Sequence, residues 1–271
     1  MNDHTKFFVV KSILLNNRLK AYDAYLNEAI NQGYMVEPLG SFYQHYEENE
    51  KHFILRHDVD HRGKATRKMF ECEKRRGVKS TYFFRKSTVD KPLIDEMIEM
   101  IQEGFEVGFH FETLPGYIEE TSINNKADID LEECRNRLEK EIKEFEEIIG
   151  HKIQSICSHG TAVNAKLGFS NNAILKDGIP SNWNIDYEAY DEKMYEHVDC
   201  HIMDGSVLRN YGFSYRDTPT SAIKEEKNNI IFLAHPSHWW KNMMERAKLI
   251  VLFMLGKTSY STTRVFKRIA Q

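Results

Sequence analysis

The stretch Phe53-Ile54-Leu55-Arg56-His57-Asp58-Val59-Asp60-His61 constrains this chain more than any other. Three apolar residues, of the kind a strand buried on both faces needs, run straight into charge. Asp58 and Asp60 stand at i and i+2, so on an extended backbone both side chains point the same way. Two carboxylates held that close repel each other unless a cation or a shared proton lies between them. Ionisable groups packed this densely behind a buried strand point to a site, and a metal ion is the usual partner. A charged loop with a solvated Asp pair is the plainer alternative.

The same pattern recurs along the chain. The spacing predicts helices over 64–76, 91–103 and 130–149, each followed by Gly77, Gly104 or Gly150. Strand formers occupy 80–84, 105–110, 153–157 and 230–234, and a last helix is expected over 237–255. The stretch 161–228 is less regular, with short strand candidates near 183–187, 197–202 and 212–216. Strand and helix alternate repeatedly, which predicts βα units and a parallel sheet. Asp58 and Asp60, then His110 and Glu112, then His159, then His235 each fall at or just past a strand's C-terminal end. In a parallel barrel those ends meet on one face, where active sites are built. The expected organisation is a mostly helical lead-in (1–50), a barrel (51–240), and a C-terminal helix with a basic tail (241–271).

Charge and cysteine usage narrow the function. The formal net charge is -4, so no broad basic excess exists to neutralise phosphates and a general nucleic-acid binder is excluded. Cys72, Cys134, Cys157 and Cys200 form no CxxC pair, which favours a reduced, cytoplasmic protein. The apolar pieces of the N-terminus are interrupted by Lys11 and lack a small-residue cleavage site, so no signal peptide is expected. The apolar run Leu249 to Leu255 is far shorter than the roughly 20 residues of a membrane span. No GxSxG or HExxH occurs, and Gly256-Lys257-Thr258 lacks the first glycine of a phosphate loop.

Taken together, these motifs make the chain similar to the polysaccharide deacetylases of the NodB-like superfamily, carbohydrate esterase family 4, over about residues 52–240. The resemblance implies an α/β fold, a distorted (β/α)7-type parallel barrel with helical N- and C-terminal extensions. It also implies a divalent metal, zinc first, and removal of N- or O-acetyl groups from sugars. Asp58 and Asp60 resemble the family's paired acids, the first the catalytic base and the second a metal ligand. Gly108-Phe109-His110-Phe111-Glu112-Thr113-Leu114 matches only the first histidine of its His-Ser/Thr-x-x-His motif, because Leu114 stands where the second belongs. Leu233-Ala234-His235 resembles the late Leu-His motif. Cys157-Ser158-His159-Gly160 stands in place of Arg-Pro-Pro, which marks a divergent branch.

The expected division of labour follows from side-chain chemistry. Asp60 and His110 hold the ion. His159 or Glu112 completes the set; a neutral imidazole avoids a third carboxylate beside the Asp pair and is preferred, leaving Glu112 to orient His110 or touch substrate. Asp58 takes a proton from water and His235 gives one to the leaving group. Arg56 either orients Asp58 or pairs with surface Glu residues. The metal and a backbone N–H near Thr81 or Gly160 would steady the oxyanion. Tyr82, Phe111, Trp183, Trp239 and Trp240 are candidate sugar platforms, though most such aromatics are core residues. Trp183 and Asp186 are placed in substrate loops. The expected substrate is an acetylated sugar, for instance an intracellular precursor of a surface polysaccharide. Hydrolysis of another C–N bond in a small metabolite, or glycan binding without catalysis, are the alternatives. The tail carries Lys257, Arg264, Lys267 and Arg268 without an acidic residue, which allows weak peripheral contact with an anionic membrane.

Overall fold

In the computed structural model, residues 18–45, 50–61, 63–205, 213 and 217–254 are described. The N-terminal apolar pieces and the tail beyond residue 254 lie outside them. Eight parallel strands form one curled sheet. They are β1 (Met35–Pro38), β2 (His52–Val59), β3 (Thr81–Phe84), β4 (Glu106–Phe111), β5 (Ser155–Ser158), β6 (Tyr187–Glu188), β7 (Cys200–Met203) and β8 (Asn229–Leu233). Seven run in the order β6-β5-β4-β3-β2-β8-β7, and β1 pairs only with β2. The ends β6 and β7 do not pair, so the barrel is an open half-barrel, the distorted parallel barrel expected.

Strand β2 lies at its centre because its sequence is buried on both faces throughout. Its first half pairs with β1 on one side, its second half with β3 on the same side, and β8 runs along the other. The helices predicted over 64–76, 91–103 and 130–149 appear as Lys64–Arg76, Lys91–Gln102 and Leu131–Ile149. Asp130 caps the longest by accepting from Glu132 N and Glu133 N, each at 3.0 Å. Gly108 is fixed by crowding: a Cβ there would sit 2.5 Å from the Phe83 ring and 2.8 Å from the Ser155 carbonyl.

Four differences from the sequence reading have local causes. The helical lead-in also contains β1, too short at four residues to show a period. A helix at Thr113–Thr121 was missed because Leu114-Pro115-Gly116 reads as a turn, yet Pro is tolerated in a first turn. The strand candidate at 183–187 contracts to Tyr187–Glu188. The last helix is two: Pro236–Trp239, then a second at Met243–Met254. Asn242 starts the second with a reciprocal cap, accepting from Glu245 N at 2.9 Å while its own N–H donates to Glu245 Oε2 at 2.8 Å.

Candidate active site

Parallel pairing brings the strand ends to one rim. Asp58 ends β2 and Asp60 follows it; Arg85 follows β3, His110 and Glu112 end β4, His159 follows β5, Asp204 follows β7, and His235 comes just after β8. Residues 58 and 60 share a face, as an extended backbone requires, while His57 points to the opposite one. The loop carrying His159 is held by its own N–H, which donates to the Phe111 carbonyl at 3.0 Å, and by Asn171, whose amide donates to that carbonyl at 2.6 Å. Asn171 Oδ1 also accepts from Leu114 N at 3.1 Å. Leu114 is wholly buried in the main core.

Three side chains converge. His159 Nε2 lies 3.4 Å and His110 Nε2 lies 3.6 Å from Asp60 Oδ1. Each imidazole is locked through its other nitrogen. His110 Nδ1–H donates to the Cys157 carbonyl at 3.0 Å, and His159 Nδ1–H donates to Glu112 Oε1 at 2.9 Å. Burial lowers the pKa of His110 although Asp58 and Asp60 oppose it, so its ring is neutral with a lone pair on Nε2. Asp60 Oδ1 is buried and has no hydrogen-bond partner. An orphaned carboxylate oxygen facing two locked imidazole nitrogens is costly by itself and fits a cation. The spacing fits as well, since donors about 2.1 Å from a tetrahedral ion lie about 3.4 Å from one another.

Two other donor groupings occur among the described residues, Asp58/His110/Cys157 and Asp204/His235/His238. In each, the carboxylate already has its hydrogen bonds. Arg56 clasps Asp58 with two hydrogen bonds of 3.0 Å and donates to Cys157 Sγ at 2.8 Å. Burial drives the Cys157 thiol well above its ordinary pKa despite that guanidinium, so it is no thiolate. Asp204 accepts from His235 Nδ1 at 2.6 Å, His235 N at 2.8 Å and Trp239 Nε1 at 2.7 Å.

The electrostatics set Asp58 and His235 apart. Burial would raise Asp58, but Arg56 outweighs it, with help from His110 and His235, and holds the carboxyl well below the usual range. For His235, burial lowers the pKa but Asp204, by charge and hydrogen bond, raises it to about 9. With Nδ1 committed to Asp204, the remaining N–H of His235 is at Nε2, 3.7 Å from Asp60 Oδ2. Glu112 falls to about 2, burial being outweighed by its hydrogen bonds with His159 and Arg85.

Several expected residues take other places. Glu112 meets His159 and Arg85 rather than His110. Arg56 is buried on Asp58 rather than paired at the surface. Asp186 is exposed and donates its N–H to the Gln154 carbonyl, just before β5 begins. Trp183 precedes it and is buried in the core, so both lie toward the N-terminal ends, away from the cluster. They were misplaced because the short strand starts at residue 187, after them. Thr81 also begins its strand, at the far end, and its hydroxyl donates to Glu106 at 2.5 Å. Tyr82, Phe111 and Trp239 are buried and offer no stacking face. Asp204 and Arg85 went unseen. The strand-end rule finds Asp204 once the 197–202 candidate runs on to Met203.

No protein-family model matches the chain, and no curated protein matches it. Solved structures do. The Xyl-CE4 domain of a multidomain xylanase from the hindgut metagenome of Trinervitermes trinervoides is 17% identical, with a TM-score of 0.41, covering 82% of this chain and 92% of that one. Peptidoglycan deacetylase PdaC from Bacillus subtilis is 13% identical, with a TM-score of 0.37, covering 83% and 96%. A CE4 family pseudoenzyme from Bacillus anthracis is 16% identical, with a TM-score of 0.39, covering 79% and 63%. Likeness at this level is one of architecture and assigns no chemistry here.

Proposed function

We propose that this protein is a metal-dependent hydrolase that removes an acetyl group from an acetylated sugar. The observation that supports it most is the orphaned Asp60 Oδ1 facing His110 and His159, with a clasped carboxylate and a protonated imidazole beside it. Asp60, His110 and His159 hold the ion. Two imidazoles and a carboxylate suit zinc, and also iron or cobalt. When bound, such an ion supplies Lewis acidity to water and to the scissile carbonyl.

The chain's own groups do the rest. Arg56 keeps Asp58 ionised and fixes its plane, so the carboxylate is always ready to accept the proton of the attacking water. It is a weak base, and its value lies in position and constant charge. Asp204 keeps His235 protonated and aims its Nε2–H at the rim, where the leaving nitrogen or oxygen receives that proton. Glu112, held by Arg85 on three hydrogen bonds of 2.8 to 2.9 Å, orients His159. The substrate is a glycan precursor handled in the cytoplasm; the four free, buried cysteines accord with a reducing compartment.

The test is acetate release from acetylated chito- and xylo-oligosaccharides by the zinc-loaded protein. The wild type should release acetate, and Asp58→Asn should keep the metal while losing about 100-fold or more in kcat. Wild-type turnover in that variant would remove Asp58 from the base role. A metal-loaded wild type that releases no acetate from either series would favour glycan binding without catalysis.

A further inference from the structure

The helix Met243–Met254 leaves the rim directly: only Trp240-Lys241-Asn242 separate it from the short helix that follows His235. Its sequence puts Met243, Ala247, Val251 and Met244 within about 100° of one another around the helix axis, with Lys248 on the flank. Met243, Met244, Ala247 and Val251 are all exposed, Met243 by 78%, Met244 by 80% and Val251 by 56%. These are the three most exposed large apolar side chains among the described residues; the others are scattered singly over the surface.

Charge is distributed just as unevenly. From residue 240 to 271 the chain has seven Lys and Arg and one Glu, Glu245. The preceding residues carry thirty Lys and Arg against forty Asp and Glu. An apolar stripe flanked by lysine, within a basic segment of an otherwise acidic protein, is the chemistry of a helix lying in the headgroup layer of an anionic bilayer. No described helix is long and apolar enough to cross a membrane.

We propose that Met243–Met254 is a membrane-docking helix whose Met243/Met244/Ala247/Val251 face enters an anionic lipid surface. Docking there sets the rim that carries His235 close to the bilayer, where a membrane-borne glycan would be presented. The docking does not depend on the deacetylase reading, and it is tested without activity. The full chain is mixed with sucrose-loaded vesicles of phosphatidylcholine with phosphatidylglycerol, or of phosphatidylcholine alone, and sedimented. The wild type should bind the anionic vesicles, release them as salt rises, and ignore the neutral ones. Met244→Glu and Val251→Glu should each weaken binding about tenfold, with circular dichroism and the unfolding midpoint unchanged. Three results would overturn the proposal. The wild type does not bind anionic vesicles. Both variants bind as the wild type does, so the basic tail acts alone. Or the wild type is a dimer that Met244→Glu splits, so a second copy covers the face.

Discussion

Strand β2 feeds two buried polar clusters, one on each face, and they differ in one respect. On the outer face His57 Nδ1 donates to the Ala234 carbonyl at 3.0 Å and its Nε2 meets Glu73 at 2.7 Å. Glu73 also accepts from Tyr22, from Ser80 at 2.8 Å and from Tyr82 at 2.8 Å. Its two oxygens have four partners, and it is wholly buried. On the inner face Asp60 Oδ1 has none, and the Nε2 atoms of His110 and His159 converge on it. Each cluster contains carboxylate and imidazole. A complete set of hydrogen bonds makes one a brace; the missing bonds leave the other open to a ligand.

Glu73→Ala strands His57, Tyr22, Tyr82 and Ser80 together and should cost about 3–5 kcal/mol of stability. Urea unfolding measures this, and metal binding by the folded fraction should be unchanged. A loss below about 1 kcal/mol would mean the outer cluster is no brace. By contrast, Glu112→Gln acts on the inner face. It loosens the hold on His159 and should lower metal affinity about 10–100-fold, with little change in the unfolding midpoint of the metal-free protein. Unchanged affinity would show that Glu112 does not set that ring.

How much of this could be read from the sequence depended on period and place. Asp58 and Asp60 were legible because period-2 alternation behind an apolar run fixes their face. His110, His159 and His235 were legible because parallel strands end on one rim. Glu73 was not, since a glutamate in Lys64–Arg76 among lysines and arginines reads as part of a solvated helix face. Only the packing of Tyr22 and Tyr82 over it makes it interior. Arg85 was passed over because nothing local distinguishes it from a surface arginine; its meaning comes from Glu112, 27 residues away.

A smaller effect sharpens the inner cluster. His235 holds its proton up to about 9 because of Asp204. A group with a raised pKa keeps its acid form at lower pH and loses it as pH rises through that value. Activity should therefore fall on the alkaline side, and Asp204→Asn should move that limb to lower pH by about one unit or more, toward the ordinary histidine value near 6.5. A limb that stays put in a pH–kcat/KM profile would take the acid role from His235.

On this reading Asp60, His110 and His159 are open for an ion while the neighbouring Asp58/His110/Cys157 grouping is closed. Calorimetric titration of metal-stripped protein with zinc tests it most directly. One equivalent should bind the wild type and Cys157→Ser alike, and His159→Ala should bind about 100-fold more weakly. Wild-type affinity in His159→Ala, or a large loss in Cys157→Ser, would contradict it.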